Sequence, residues 1–171
     1  MPELIAKSAL SGQGSAVHAG ITLSEATLGP VTSIACFAGR QAEVSAALGQ
    51  DFPAPNTHHD GLCWTGADQA FLIGKPAPDL TGLAATTDQT GGWAALRLTG
   101  PLAAEALMRH VPLDLRRMTA GEAARAPLGH MQMTLMAETD GFLLLVFRSM
   151  ARTAWHEIET TLKHMAARKA L

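Results

Sequence analysis

The sequence has 171 residues, of which 47% are hydrophobic and 16% are charged, and it carries a formal net charge of −2 at pH 7. This length suits one compact domain or two small fused halves, and the scattered basic residues lack the stripe that phosphate binding requires, which argues against a nucleic-acid-binding protein. The two cysteines match no CxxC spacing and no apolar run is long enough to cross a bilayer, so we expect a cytoplasmic protein without a signal peptide.

The first half of the chain predicts a flexible lead-in followed by short strands and helices. Residues 1–17 contain Gly and Ser without a clear period and predict a flexible N-terminal arm, which leaves one domain over residues 18–171. The remaining predictions of this half, in chain order, are strands over 21–28 and 31–37 on either side of a Gly29-Pro30 turn, a helix over 41–48, a hairpin over 62–73 around Gly66-Ala67-Asp68, and a short helix from Pro78 to about Ala85.

The second half shows stronger periodicity. Residues 93–99 alternate, with Ala94, Leu96 and Leu98 on one face, and Gly100-Pro101 ends this strand and predicts a helix that begins at Pro101. Two more strands, over 128–137 and 142–147, are joined at Asp140-Gly141, which is typical of a type I′ turn. A last helix over about 150–168 has the apolar stripe Trp155, Ile158, Leu162 and Met165.

The order of elements repeats. Each half reads strand, helix, hairpin and helix, which predicts two pseudo-repeats over about 18–86 and 87–171. We therefore predict an α+β fold of duplicated ferredoxin-like (split βαβ) halves, with a mainly antiparallel sheet and helices on one face.

No complete active site is evident in the sequence. A phosphate-binding loop, a GxSxG nucleophile elbow and an HExxH motif are all absent, and Gly12-Gln13-Gly14 lacks the third glycine of a dinucleotide fingerprint. His58, His59 and Cys63 are the one group with metal-ligand types, which gives a zinc hypothesis; a polar loop is the alternative, because adjacent histidines seldom face one ion.

Other titratable residues have both structural and chemical interpretations. Asp88 and Asp114 lie at predicted element ends, where they cap turns or act as acids. His130 is expected to be a structural histidine on the Gln132 face of its strand, with a catalytic base as the alternative. The positive form of His110 is expected to be favoured at a helix end.

Two arginines and two tryptophans complete the candidate set. Arg97 and Arg148 lie at strands that look buried, so each needs a partner: an internal carboxylate, a helix C-terminus, or a carboxylate on another chain. Trp93 and Trp155 are expected to pack in the core, and an interface role is open because tryptophan is enriched at binding hot spots.

An ordered set of motifs resembles a known family. Residues 87–101 (TDQTGGWAALRLTGP), Val111-Pro112-Leu113-Asp114-Leu115, Leu128-Gly129-His130-Met131 and the stretch from Phe147-Arg148-Ser149 to Trp155-His156 resemble the gamma subunit of heterotetrameric sarcosine oxidase. The residues that carry this resemblance, or that could meet another subunit, are Asp88, Trp93, Arg97, Gly100, Pro101, His130, Arg148 and Trp155.

The resemblance implies a subunit without chemistry of its own. The whole assembly would convert sarcosine, tetrahydrofolate and O2 to glycine, methylenetetrahydrofolate and H2O2, in sarcosine catabolism and one-carbon metabolism. FAD, FMN, NAD, tetrahydrofolate and zinc would be bound by the partner alpha, beta and delta subunits. The implied fold is that of the folate-binding domain of aminomethyltransferases, so a stand-alone folate-binding or aminomethyltransferase-like protein is the alternative, and a related secondary amine is an open alternative to sarcosine.

Overall fold

The computed structural model describes residue 5 and residues 7–169, with only the backbone of residue 169. Residues 1–4 and 6 of the predicted arm, and the last two residues of the predicted domain, lie outside this part. The elements are β1 (Ala16–His18), β2 (Ile21–Ala26), β3 (Val31–Cys36), α1 (Gln41–Leu48), β4 (His58–His59), β5 (Leu62–Gly66), β6 (Gln69–Ile73), β7 (Ala84–Asp88), β8 (Trp93–Thr99), α2 (Ala103–Leu107), β9 (Ala123–Leu128), β10 (Met131–Glu138), β11 (Gly141–Phe147) and α3 (Ala151–Lys169), with 3₁₀ turns at Leu115–Arg117 and Arg148–Met150.

The strands form two antiparallel sheets. Sheet A has the order β1-β2-β8-β11-β10-β9, and sheet B has the order β4-β5-β6-β3-β7. In sheet A, Leu96 of β8 pairs with Glu25 on one side and Leu144 on the other, so β8 and β11 form the centre of the sheet. An α+β fold with mainly antiparallel sheets is therefore confirmed, although the strands belong to two sheets and not to one.

The two sheets pack face to face between two helical layers. The faces of sheet A alternate as predicted, because Leu96 and Leu98 pack against α2 and α3 while Ala95 turns toward sheet B. The core between the sheets consists of Val31, Cys63, Phe71, Ala95, Ala123, Met136 and Leu145. The outer face of sheet B carries α1 through Val44, together with Phe52 and Leu80. Helices thus cover both outer faces of the molecule.

The final helix matches its predicted stripe. Trp155, Ile158 and Leu162 of α3 are buried against sheet A, because residues spaced three and four apart lie on one helix face. Glu159 and Lys163 pair on the same helix with a 2.8 Å distance between Oε1 and Nζ. None of the helices in the described residues combines the length and the apolar composition needed to span a membrane.

Several local predictions are corrected. The helix predicted from Pro78 to Ala85 is a turn in which Asp79 accepts a hydrogen bond from the Thr81 amide, and it leads into the unpredicted strand β7. The Gly29-Pro30 turn carries the chain from sheet A to sheet B. Helix α2 begins at Ala103 and not at Pro101, which lies in the preceding turn.

The glycine of the β10–β11 hairpin has a different role from the predicted one. Glu138 pairs with Gly141, so Thr139 and Asp140 form the turn, and neither Asp140 nor Gly141 has a positive φ. A Cβ on Gly141 would instead lie 2.9 Å from the Cα of Thr99 and closer still to the carbonyl oxygen of Leu98. Glycine is required here by the close approach of β8.

The predicted segment boundaries fall inside strands. The arm boundary at residues 17 and 18 lies within β1, and the repeat boundary at residues 86 and 87 lies within β7. Leu10, from the predicted arm, is 1% exposed and packs into the core between sheet A and its helices.

Candidate functional site

Two clefts lie at opposite ends of the central strands of sheet A. The first has a volume of about 720 Å³ and is formed by the end of β8, the start of α2 and the β10–β11 turn, with Glu105, Arg116, Glu138 and Asp140 among its lining residues. We call it the hairpin cleft. The second lies at the Trp93 and Phe147 ends of β8 and β11.

Arg97 has an internal partner beside the hairpin cleft. Its Nε and Nη2 donate to Oε2 and Oε1 of Glu138 at 2.7 and 2.8 Å. These hydrogen bonds raise the pKa of Arg97. Of the three kinds of partner open for this arginine, the structure thus selects an internal carboxylate. A guanidinium and carboxylate joined in this way are committed to each other and do not provide a free acid or base.

Asp114, one of the two candidate acids, is also paired. Its Oδ1 accepts a 2.8 Å hydrogen bond from Nε of Arg116, and this bond lowers the pKa of Asp114. The carboxylate is exposed, and its ionised form is stabilised, which is the opposite of what a general acid at neutral pH needs.

Asp88, the other candidate acid, closes a turn at the end of β7. Its Oδ1 accepts a hydrogen bond from the backbone N–H of Thr90 at 2.9 Å, and hydrogen bonding to Thr90 lowers its pKa. The turn-forming interpretation of this residue is therefore the one that the geometry supports.

The histidines and cysteine of the zinc hypothesis do not converge. His58 and His59 are neighbours in β4, so their side chains leave opposite faces of the strand, and Nε2 of His58 lies 2.8 Å from the carbonyl oxygen of Ala137. Burial raises the pKa of the Cys63 thiol to about 12, which opposes the thiolate that zinc binds. In the part of the chain that the structure describes, no three His, Cys, Asp or Glu residues are placed to share an ion.

The remaining histidines are structural or exposed. His130 lies in the β9–β10 turn and is exposed, so it is not the structural histidine of a strand that we predicted. Nε2 of His110 lies 2.8 Å from Oγ1 of the buried Thr161. Burial lowers the pKa of His110, with Glu157 opposing and Arg109 reinforcing this effect, so the expectation of a favoured positive form is wrong.

The motif Gly100-Pro101 shapes the backbone beside the hairpin cleft. Gly100 has a φ of 121°, and a Cβ at this position would lie 3.1 Å from the Cα of Ile21. A larger residue would therefore separate β8 from the loop between β1 and β2. Pro101 is exposed in the turn before α2.

An aromatic cluster lies beside the second cleft, and Phe147 of this cluster lines it. The ring of Phe147 stacks on Trp93 with centroids 4.7 Å apart, and Phe71 meets Trp93 edge-on at 5.2 Å. The Nε1 atom of Trp93 is buried and has no hydrogen-bond partner among the described residues. Phe147 is 46% exposed, although the apolar run that contains it predicted a strand buried on both faces.

Arginines flank this aromatic cluster. The backbone N–H of Arg148 donates to the carbonyl oxygen of Gly92 at 2.8 Å, and its Nη2 donates to the carbonyl oxygen of Lys7. Nη2 of Arg152 donates to the carbonyl oxygen of Ser11 at 3.3 Å. Arg148 is thus an exposed arginine held by backbone oxygens, and no carboxylate of the described residues pairs with it.

Trp155 takes the core position that was expected of it. It is 3% exposed in α3 and packs with the apolar residues of sheet A. Trp93 combines a core contact with a place at the surface, because it is only partly buried. The sequence analysis missed Glu138 as the partner of Arg97 and the exposure of Phe147. The position of Phe147 at a predicted strand end, next to Arg148, was the available signal.

The candidate carboxylates are engaged in hydrogen bonds within the described chain. Asp88, Asp114 and Glu138 each accept a hydrogen bond that stabilises the fold. The hydroxyl of Thr161, which contacts His110, belongs to a residue only 9% exposed and is not open to a substrate. In the described structure these carboxylates therefore close turns and link strands.

Comparisons with known proteins give a fold. No family model matches the sequence, and no curated protein matches it. A chain of the heterotetrameric sarcosine oxidase from Corynebacterium sp. U-96, solved in complex with pyrrole 2-carboxylate, superposes with a TM-score of 0.81 at 19% sequence identity. The match covers 94% of this chain and 96% of that chain. The expectation of a sarcosine-oxidase-like fold is confirmed, and at this identity the likeness concerns the fold alone.

Proposed function

We propose that this chain is a non-catalytic structural subunit of a heterotetrameric sarcosine oxidase, equivalent to the gamma subunit. The observation that carries the proposal is the superposition over nearly the whole of both chains, with a TM-score of 0.81. The motifs at residues 87–101 and 147–156, which resemble the gamma subunit, lie on strands, turns and the first residues of α3 in this fold.

The absence of free chemistry at the candidate residues supports a structural role. Asp88 and Asp114 are hydrogen-bonded carboxylates with lowered pKa values, and Glu138 is engaged by Arg97. The alpha, beta and delta subunits would bind FAD, FMN, NAD, tetrahydrofolate and zinc. The assembly would oxidise sarcosine with O2 in the cytoplasm and transfer its methyl carbon to tetrahydrofolate.

The strand orders support the proposed duplication. In sheet B the order is β5-β6-β3-β7, with α1 after β3, and in sheet A the order is β10-β11-β8-β2, with α2 after β8. Both correspond to the order of a split βαβ unit, although β2 comes from the start of the chain. The duplicated halves would link this fold to the folate-binding domain of aminomethyltransferases.

The exposed apolar side chains suit a subunit that is covered in an assembly. Phe147 and Met150 are 46% and 40% exposed. Large apolar side chains at a surface favour association when they form part of a contact.

The test is purification of the tagged chain from its native host, followed by mass spectrometry, a visible absorbance spectrum and an assay of sarcosine-dependent H2O2 formation. We expect three further subunits, flavin absorbance and activity in the eluate, and no activity from the isolated chain. An eluate from a tag-only strain is the control. A colourless, solitary chain would reject the proposal, and tetrahydrofolate binding by that chain would favour the stand-alone alternative.

A further inference from the structure

The Phe147 end of sheet A carries a concave surface with one sign of charge. A cleft of about 610 Å³ lies there, and its charged lining residues are Arg148 and Arg152. We define the Phe147 surface as Phe147, Arg148, Met150 and Arg152. All four side chains are exposed in the described structure.

The aromatic part of this surface is held in place before any partner binds. Phe147 stacks on Trp93, which Phe71 supports from the side. The backbone hydrogen bond from Arg148 to Gly92 fixes the end of β11 against β8. A preorganised aromatic side chain loses little conformational entropy on binding, which is a property of interface anchors.

The guanidinium groups are oriented and still have donors to offer. Each donates Nη2 to a backbone carbonyl oxygen, of Lys7 for Arg148 and of Ser11 for Arg152. A guanidinium has five N–H donors, so most donors of both groups remain for another acceptor. Neither group is ion-paired with a carboxylate within the described chain, in contrast to Arg97 with Glu138 and Arg116 with Asp114.

The chemistry of this surface specifies its occupant. Arginine, methionine and aromatic residues are enriched in protein–protein interfaces, and arginine pairs best with carboxylates through two parallel hydrogen bonds. We infer that the Phe147 surface binds a segment of a partner subunit that carries an Asp or Glu next to an apolar side chain. The carboxylate would bind between Arg148 and Arg152, and the apolar side chain would cover Phe147 and Met150. This inference rests on the proposed function.

Charge reversal in the assembled complex tests the inference. The tagged chain is expressed in its native host as wild type, Arg152→Glu or Phe147→Ser, and copurifying subunits are quantified by mass spectrometry. We expect each variant to reduce their recovery at least about tenfold, because truncation or reversal at an interface anchor is costly. The matched controls are Arg117→Glu, an exposed arginine elsewhere, and Phe37→Ser, at a side chain 48% exposed.

Folding and association are separated by a second measurement. The thermal unfolding midpoint of each purified variant is measured. A variant that recovers no subunits supports the inference only if its midpoint lies within a few degrees of the wild-type value. A milder variant, Arg152→Ala, keeps the test open if Phe147→Ser unfolds. Normal recovery by all folded variants would overturn the inference while leaving the proposed function in place, whereas absence of partners from the wild type would overturn both.

The partner segment is identified by cross-linking. A photoreactive amino acid replaces Met150 in one strain and Phe37 in another, and the cross-linked peptides of the illuminated complex are sequenced. We expect a partner peptide that contains Asp or Glu at position 150 and no equivalent product at position 37. A position-150 peptide without a carboxylate would overturn the inference.

Discussion

Arg97 on β8 and Glu138 on β10 form an ion pair that reaches across β11, the strand between them. The two hydrogen bonds restrict the orientation of the guanidinium relative to the carboxylate. Arg97 is 42% exposed and Glu138 is 25% exposed, so water screens part of the attraction. The pair joins three adjacent strands at the edge of the hairpin cleft.

We predict that this pair contributes about 1 kcal/mol of coupling to the free energy of unfolding. The two hydrogen bonds strengthen the attraction, and screening by water limits it. The measurement is a double-mutant cycle of Arg97→Ala and Glu138→Ala in urea. The same cycle on Arg40 and Glu43, which are 46% and 51% exposed in one helical region, should give about 0.3 kcal/mol. Equal coupling for the two pairs would contradict this prediction.

Gly141→Ala is predicted to lower the free energy of unfolding by about 1–3 kcal/mol, since the new methyl group would press β11 away from β8. Gly91→Ala is the matched control, because a Cβ at that position meets no atom within 4 Å. Urea unfolding measures both. If Gly141→Ala were as stable as the control, the close approach of Leu98 to Gly141 would be wrong.

The partly buried His110 is predicted to make stability depend on pH. Its pKa is lowered in the folded chain, while the unfolded chain keeps the ordinary value of 6.5, so the unfolded chain binds the proton first as the pH falls. Its contribution to stability is complete above about pH 6.5 and is lost as the pH falls through the lower folded pKa.

Unfolding in urea at pH 7.5 and at pH 5 checks this expectation. His110→Gln should lose less stability between these two pH values than the wild type does, and an NMR titration of the His110 ring should give a midpoint below 6.5. Replacement of the exposed His156 by Gln is the control, since its side chain is outside the core. A midpoint above 6.5 for His110 would contradict the prediction.

The two thiols are predicted to differ in reactivity. Cys63 is fully buried and burial raises its pKa to about 12, whereas Cys36 is partly exposed and its pKa is raised less strongly, by burial first and by Asp68 second. With a thiol reagent at pH 8, we expect slow reaction of Cys36 alone and full reaction of both only in denaturant. Cys36→Ser should remove the native-state signal; a persistent signal would place Cys63 at the surface.

Local patterns were sufficient where one strand or helix faces one core. Strand β8 was identified by the alternation of Leu96 and Leu98. Helix α3 was identified by the apolar stripe of Trp155, Ile158 and Leu162. Each pattern consists of residues that are buried on one face of the element. The α+β class and the antiparallel pairing followed from these elements and from the hairpin signals, and they are confirmed.

Strands at the edges of the sheets were missed because their residues show no alternation between apolar and polar positions. Residues 85–88 of β7 are all exposed, so no alternation marks them. Strand β9 contains Pro127, which is tolerated because β9 lies at the edge of sheet A. The helix predicted from Pro78 is missing because Asp79 accepts a hydrogen bond from the Thr81 amide and thereby closes a turn.

The candidate site depended on contacts between distant residues. Arg97 contacts Glu138 because β11 pairs with β8 on one side and with β10 on the other. The register of these strand pairs cannot be predicted from a local sequence pattern. The exposure of Phe147 likewise depends on where β11 ends relative to the packed sheets. Residue type identified Arg97, Arg148 and Trp93 as important, while their partners needed the fold.

The position of β2 has a consequence for the order in which the chain folds during synthesis. Sheet B draws all its strands from residues 31–88, whereas β2, near the start of the chain, pairs with β8 and is otherwise joined to β1 alone. The strands of sheet B can therefore pair before β8 has been synthesised, whereas β2 can pair with β8 only afterwards. We expect amides of β3 and β6 to gain protection from hydrogen exchange before those of β2 during refolding, because nearby segments meet first.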